Sequence, residues 1–390
     1  MKKFKKFNSI GREELNIATK IIKSGKLSEF LAKKGKFFNG GYYVKRFEKS
    51  IEKYFKVKHA IVVNSWTSGL ITIIGALNIK KGDEVILSPW TMSACAASII
   101  HWGAIPVFCD VEKETFCIDP NEIKKKITKK TKAIMAIDIF GYPANIKKIK
   151  KVINKRKIKI ISDSAQSIGA LNYKKFAGTD SDIGGFSLNY HKHINTGEGG
   201  IIVTNNKKFS ENCRRIRNHA EAIIDKKETK KNIDLIGFNF RLTELQAGIG
   251  IEQLKKLKSI VKKKQDNANY LTNKLKKLKG LILPKMAKGI THAFYMYPMR
   301  LDTSIIKINK KKIFKLIIKE NLPIADKYAN ISTLPAIRKK TFRKNNFKNI
   351  NQLNNQEYLG LKMWAYDFSK KDLDFIALKM EKIWKKLKIN

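Results

Sequence analysis

Acidic residues are scarce in this chain: 33 Asp and Glu stand against 81 Lys and Arg over 390 residues, a formal net charge of +48. Two readings of that imbalance compete. A partner bearing phosphates, either nucleic acid or a nucleotide-linked small molecule, would be drawn to it. Alternatively, lysine decorates every exposed face without forming a site. Lysine pairs recur from end to end, at Lys33-Lys34, Lys80-Lys81, Lys129-Lys130, Lys230-Lys231 and Lys370-Lys371, and Ile and Asn are abundant as well. A general coding bias therefore accounts for most of the charge. Long apolar runs are also missing. The basic opening MKKFKKFNSI is not followed by a run of signal-peptide length, and no stretch approaches a membrane-spanning helix. The expectation is a soluble, cytoplasmic protein without a membrane partner. Cysteine is sparse. Cys95, Cys109, Cys117 and Cys213 show no CxxC spacing, and three adjoin apolar runs, which predicts free, mostly buried thiols and no metal site.

What is present suits a large core, with 43% hydrophobic residues and length enough for one main domain and a smaller one. Short runs rich in Val and Ile read as strands at Ala60–Asn64, Glu84–Ser88, Ile105–Asp110, Ala133–Phe140, Ile158–Asp163, Ile183–Ser187 and Ile201–Thr204. Most are nearly continuous in hydrophobicity, as strands buried on both faces are. Helical stretches such as Thr67–Leu77 and Ala144–Asn154 lie between several of them, so the order predicts a mainly parallel sheet between helices, an α/β architecture. Leu242–Lys263 reads as a long helix. Beyond it come Tyr270–Leu278, a strand Ala293–Leu301, a helix Lys311–Glu320 and a last helix Leu373–Leu387, the pattern of a small α+β domain. The predicted division is residues 1–258 and 259–390. Between Ala329 and Gln356 the pattern blurs into Asn- and Lys-rich sequence, expected to be a loop or lid.

The most informative stretch runs from Ile160 to Gly200. It places Asp163 at a strand end and Lys192 in a Ser/Gly-rich segment twenty-nine positions later. Strand ends are where open α/β sheets place ligands. Asn64-Ser65-Trp66-Thr67-Ser68-Gly69 lies between a strand and a helix, where backbone N–H groups and hydroxyls favour an anion.

Five blocks occur in order: KGDEVILSPWT, GAIPVFCDVEKETFCIDP, SDSAQSIGA, DIGGFSLNYHKHINTGEGG and GFNFRLTELQAGIGIEQL. Together they resemble the DegT/DnrJ/EryC1/StrS family of sugar aminotransferases, which use pyridoxal 5'-phosphate (PLP, cycling through the pyridoxamine form, PMP) on the type I aspartate-aminotransferase fold. The resemblance runs from about Val44 to Leu254 and weakens beyond. It implies that Lys192 is the catalytic, imine-forming lysine, six positions after Phe186 and five before Gly197, a register that excludes His191 and His193. By the same resemblance Asp163 pairs with the pyridine nitrogen, Gln166 lies near the cofactor's phenolic oxygen, and Ser65, Thr67 and Ser187 bind its phosphate. Relatives have Ser-Gly-Thr where this chain has Ser65-Trp66-Thr67; the hydroxyls are kept, and Trp66 is expected to contribute its backbone amide. Asn239 matches a residue that reaches the phosphate of a neighbouring subunit, which implies a homodimer with shared active sites. Arg241 is either a substrate contact or a helix-start ion pair. Met92 stands where many relatives carry a ring-stacking aromatic; Trp90, two residues earlier, either replaces it or is a core tryptophan. His219 and His292 are further candidates for the substrate pocket, with a structural role as the default for each. The C-terminal motifs that shape that pocket in relatives have no clean match around Leu322–Ile337 or Leu361–Phe368.

The function this implies is transfer of an amino group, with glutamate as donor and 2-oxoglutarate as by-product, to a nucleotide-linked keto-sugar for surface polysaccharide. A sister group of PMP-dependent sugar dehydratases has histidine at the lysine position, and Lys192 in register argues against it. A basic nucleic-acid-binding or regulatory protein on the same fold is a third reading. Dispersed lysines and an intact Asp/Lys/Ser/Gln set speak against a nucleic-acid partner.

Overall fold

The computed structural model describes residues 2–221, 235–341 and 346–389. Seven strands form the main sheet: β1 (His59–Val63), β2 (Glu84–Leu87), β3 (Ile105–Phe108), β4 (Thr131–Ile137), β5 (Lys159–Asp163), β6 (Ile183–Ser187) and β7 (Gly200–Thr204). Their order across the sheet is β1-β7-β6-β5-β4-β2-β3. The neighbours β2, β3, β4, β5 and β6 pair in parallel, whereas β7 runs antiparallel to both β6 and β1. Every residue of β2, β6 and β7 is buried, which is why these strands read as unbroken apolar runs rather than as alternation. The expected mainly parallel sheet is what forms.

Helices cover the sheet on both sides. Trp66–Ala76 follows β1 and starts at Ser65, whose hydroxyl oxygen accepts from Ser68 N. Ser93–His101 follows β2, and the two helices pack together. A second, antiparallel sheet follows later in the chain, with β8 (Leu281–Ile282), β9 (Tyr297–Leu301), β10 (Ile324–Ala325) and β11 (Tyr358–Leu361) in the order β8-β9-β11-β10. It is backed by helices Lys310–Lys319 and Lys370–Lys386.

Three sequence expectations change. The long helix expected over Leu242–Lys263 and the separate element expected at Tyr270–Leu278 are one helix, Glu244–Leu275, about 48 Å long at 1.5 Å per residue. Its first half packs Leu254, Leu257 and Val261 against the main-sheet side, and its second half packs Ala268, Leu271 and Leu275 into the small-sheet core. The expected division after residue 258 falls inside this helix. Next, the strand expected over Ala293–Leu301 begins only at Tyr297. Residues 293–296 instead cross from the main sheet, with Ala293 N donating to Gly141 O and Met296 N to Phe140 O. Finally, the stretch from Ala329 to Gln356 is no free lid where it is described; its residues 342–345 lie outside the described residues. Ile331, Ile337, Phe347, Ile350 and Leu353 are buried in the main core, and the Asp110 carboxylate accepts from the N–H groups of Asn349 (2.7 Å) and Ile350 (3.1 Å). These apolar residues are too irregularly spaced among Asn and Lys to show a period.

The four cysteines are free and buried, as expected. Among the described residues no helix is long and apolar enough to cross a membrane, and no His/Cys/Asp/Glu cluster could hold a metal ion.

Candidate active site

The parallel strands all end on one edge of the sheet, and the segments that leave those ends converge on one cavity of about 370 Å³. After β1 come Ser65, Trp66 and Thr67; after β2, Thr91, Met92 and Cys95; after β4, Asp138. Asp163 is the last residue of β5, and Ser187 is the last of β6. The register explains the convergence, because Ile137 pairs with Asp163, Asp163 with Gly185, and Ser187 with Gly200.

Lys192 enters the cavity from the turns between β6 and β7, which are held by Lys192 N donating to Asn189 O and Thr196 N to Leu188 O. The residue is 6% exposed. Its Nζ lies over the Tyr295 ring, 4.7 Å from the centroid. Burial disfavours the ammonium, and the nearby Asp163 and Cys95 offset this only in part, so the pKa falls from 10.5 to about 8. More of the amine is therefore uncharged and nucleophilic near neutral pH than in an ordinary lysine, although the ammonium still predominates at pH 7.

Asp163 is 5% exposed and well supplied with donors. Its Oδ1 accepts from Trp66 Nε1 (2.7 Å) and Ala165 N (3.1 Å), and its Oδ2 accepts from Cys95 Sγ (3.0 Å). Gln166 is fixed at both ends of its amide: Oε1 accepts from Phe140 N and Nε2 donates to Tyr328 Oη, each at 2.8 Å. A second carboxyl, Asp138, is fully buried and accepts from Ser164 Oγ, Ser167 Oγ and Ala144 N. Burial raises its pKa from 3.8 to about 7 despite those bonds, with Asp163 adding to the rise.

At the other end of the cavity, helix Trp66–Ala76 presents its N-terminus. The first-turn N–H groups of Trp66 and Thr67 have no carbonyl of their own helix to bond, and the hydroxyls of Ser65, Thr67 and Ser187 surround that end. Backbone runs close here, since a Cβ on Gly200 would stand 2.7 Å from Ser65 O. An anion fits this end, and a flat ring bearing a hydrogen-bonding nitrogen fits between it and Asp163.

The cavity thus gathers Ser65, Trp66, Thr67, Met92, Asp163, Gln166, Ser187 and Lys192 from the residues expected on sequence. Met92 sits at the rim, 59% exposed. The others lie elsewhere. Trp90 is 1% exposed and boxed by Phe116, Phe140, Tyr328 and Tyr358, so it is a core residue behind the wall rather than a stacking platform. His292 is buried outside the cavity, its Nδ1 accepting from Phe294 N. Neither His219 nor Arg241 lines the cavity; Arg241 Nε donates to Asn239 Oδ1 (2.7 Å). Asn239 is exposed on the outer side of the segment whose Phe240 O accepts from Asn64 N.

Sequence reading missed Tyr295, Tyr328, Lys362 and Trp364, all of which line the cavity. Trp364 stacks on Tyr295, with interplanar angle 15°. Their only signal was aromatic residues inside Lys-rich stretches. A wider groove of about 1140 Å³ lies elsewhere, lined by Lys147, Lys150, Lys151, Lys155, Lys174 and Lys175. Lys150 and Lys175 already pair with Asp180, and the groove holds no buried nucleophile, so the chemistry belongs to the smaller cavity.

Residues 23–380 match the model of the DegT/DnrJ/EryC1/StrS aminotransferase family. The chain belongs to that family. An uncharacterised protein of Methanocaldococcus jannaschii is 33% identical over 350 residues, 87% of each chain. The GDP-perosamine synthase of Vibrio cholerae is 35% identical over 263 residues, 67% of this chain and 70% of its own. Among solved structures, a GDP-4-keto-6-deoxymannose-3-dehydratase with a trapped PLP-glutamate geminal diamine superposes with a TM-score of 0.83 at 25% identity, covering 96% of this chain and 99% of that one. Family and fold together make this chain a PLP-dependent sugar aminotransferase, and the cofactor's requirements match the donor set of the cavity.

Proposed function

We propose that the enzyme moves an amino group from glutamate to a nucleotide-linked keto-sugar, releasing 2-oxoglutarate and an amino sugar, with Lys192 as the catalytic residue. The observation that carries this reading is the burial of Lys192 in the same cavity as Asp163, opposite a helix N-terminus. When bound, PLP supplies an aldehyde that takes up and passes on the amino group, and a ring that accepts the electron pair left on the substrate carbon. Lys192, with its lowered pKa, would carry the proton between that carbon and the cofactor's aldehyde carbon. Asp163 holds the proton on the ring nitrogen. The N–H groups of Trp66 and Thr67, with the hydroxyls of Ser65, Thr67 and Ser187, hold the phosphate, and Gln166 supports the ring's oxygen side. Tyr295, Trp364 and Lys362 form the wall a substrate meets. The reduced, buried thiols suit work in the cytoplasm.

A homodimer completes this reading. Leu27, Leu31, Tyr42 and Ile236 are exposed apolar residues. Hydrogen bonds tie their segments together, from Glu244 N to Leu27 O, from Asn218 Nδ2 to Leu31 O and from Tyr43 N to Glu244 Oε2. Asn218 also bridges to Asn239. An apolar surface beside Asn239 supports the assignment of that residue to a neighbour's phosphate.

The test is the visible spectrum of purified protein with PLP, before and after glutamate, followed by product analysis with keto-sugars. A lysine-bound cofactor band that glutamate converts to the PMP form, absent in Lys192→Ala, is expected, and the product should be an amino sugar. Formation of a deoxy keto-sugar with release of ammonia would instead establish the dehydratase reaction. No band at all would refute the assignment of Lys192.

A further inference from the structure

The side chain of Trp66, the residue expected to contribute its backbone amide, does not point away from the site. Trp66 is the first residue of the helix that presents its N-terminus to the cavity, and its indole reaches across to Asp163. The Nε1···Oδ1 distance of 2.7 Å is at the short end for N–H···O bonds, as expected when the acceptor carries charge. The ring lies on Gly69 and Gly185, where a Cβ would come within 2.8 Å and 2.5 Å of indole atoms. At Gly185 a Cβ would also meet Ile201 O at 1.9 Å, so that glycine is required by the neighbouring strand as well as by the indole.

The two oxygens of Asp163 are treated differently. Oδ1 accepts two N–H donors, from Trp66 and from Ala165. Among the described residues Oδ2 accepts only from the Cys95 thiol, a weak donor that also lies 3.2 Å from Thr91 Oγ1 and has that second partner to turn to. The carboxylate is therefore pinned through Oδ1, and Oδ2 is the oxygen left to accept a strong donor.

Resting on the aminotransferase reading above, we propose that Trp66 is a positioning residue that holds the Asp163 carboxylate in the rotamer in which Oδ2 accepts the cofactor's ring N–H. One residue then ties both ends of the cradle together. Its backbone stands at the phosphate end and its indole fixes the partner of the ring nitrogen. A glycine at this position could only do the first.

The experiment is a double-mutant cycle on the full-length protein, read by equilibrium affinity of the apoenzyme for PLP and by the pH midpoint of the bound cofactor's visible band. Trp66→Phe removes the N–H together with part of the ring that rests on Gly69 and Gly185; the packing loss lowers apoenzyme thermal stability alike in either Asp163 background, whereas the hydrogen-bond effect on PLP needs Asp163. The substitution should raise the Kd for PLP about tenfold, the scale of one lost charge-assisted hydrogen bond, and shift the pH midpoint. In the Asp163→Ala background the same substitution should change the Kd by less than about twofold, because its effect runs through Asp163. Three results would overturn the inference: an unchanged or tighter Kd in Trp66→Phe, an unmoved midpoint, or an equal effect in both backgrounds, which would make the indole mere packing. If the wild-type protein binds PLP and these results appear, only the role of Trp66 falls. If the wild type shows no saturable PLP binding, the aminotransferase reading falls and takes this inference with it.

Discussion

Lys192 Nζ lies over the Tyr295 ring, 4.7 Å from its centroid, and among the described residues no acidic side chain is bonded to it. The amino group is thus held by an aromatic face rather than by an ion pair. That choice matters for reactivity. A carboxylate in contact would stabilise the ammonium, whereas burial against a ring leaves the pKa depressed to about 8.

The same depression has a cost in stability whose sign is fixed. The folded-state pKa of Lys192 lies below its ordinary 10.5, so between the two values only the unfolded chain carries the proton. Stability attributable to this group therefore rises with pH through that window. Lys192→Met removes the dependence. The cofactor-free variant should be more stable than cofactor-free wild type by about 1–3 kcal/mol at pH 7, each pKa unit being worth about 1.4 kcal/mol. The gap should close as pH approaches 10.5. Urea unfolding of both proteins between pH 7 and 10 measures it, and a gap that stays constant with pH would show that Lys192 is not the depressed group.

Lys362 stands in the cavity wall, and among the described residues it makes no ion pair or side-chain hydrogen bond. A half-buried positive charge left unpaired at a binding wall suits an anionic substrate group, such as the diphosphate of a nucleotide-linked sugar. Lys362→Ala should raise KM for that substrate about tenfold with kcat little changed, since one such contact contributes about 1.5 kcal/mol to binding in ground and transition states alike. A fall in kcat at constant KM would instead place Lys362 in the chemistry.

What could be read in advance divides along physical lines. The place of Asp163 was legible because it ends a strand whose apolar run is unmistakable; Ser187 and the register of Lys192 came from the family resemblance, and one cavity gathers all three. Tyr295 and Tyr328 were not legible. They reach the cavity on irregular segments, 293–296 and the stretch after β10, whose path is set by hydrogen bonds to Phe140 and Gly141 and by contacts with the main core rather than by local pattern. For Trp66 the place of the backbone could be read and the reach of the indole could not. The direction of its indole depends on the space left by Gly69 and Gly185, and Gly185 is more than a hundred residues away. Trp90 shows the converse: beside a rim residue in sequence, it lies in an aromatic box in space.

The dimer has its own test. Ile236 is 65% exposed three residues before Asn239. Ile236→Asp places a charge in the apolar surface and should shift the protein from twice the mass of one chain toward a single chain in sedimentation equilibrium. PLP retention should weaken at the same time, because Asn239 of one subunit would no longer reach the other's phosphate. Asn239→Ala should weaken PLP retention several-fold without changing the mass. A wild-type protein that sediments as a single chain with full PLP affinity would remove the shared-site model.

Far from the cavity chemistry, the segment that leads into it depends on Glu48. Its carboxylate accepts from Arg217 Nη1 and Arg214 Nη1, each at 2.6 Å, and from Val62 N in β1, while the two guanidiniums also bond Val62 O and Ala60 O. Arg217 is completely buried. Removing Glu48 would strand that charge, so Glu48→Ala should cost about 3–5 kcal/mol at pH 7 in urea unfolding. The effect is pH-dependent in a defined direction. Burial pushes the Glu48 pKa up, but the charges and hydrogen bonds of Arg214 and Arg217 outweigh it, and the net value lies below the ordinary 4.5. The contribution is complete above 4.5 and is lost as pH falls through the lower folded-state value, where the native carboxylate must also take a proton. The difference between wild type and Glu48→Ala should therefore narrow below pH 4.5. Equal stability of the two proteins at pH 7 would mean that β1, and with it the Ser65–Thr67 segment, is held without the Glu48 carboxylate.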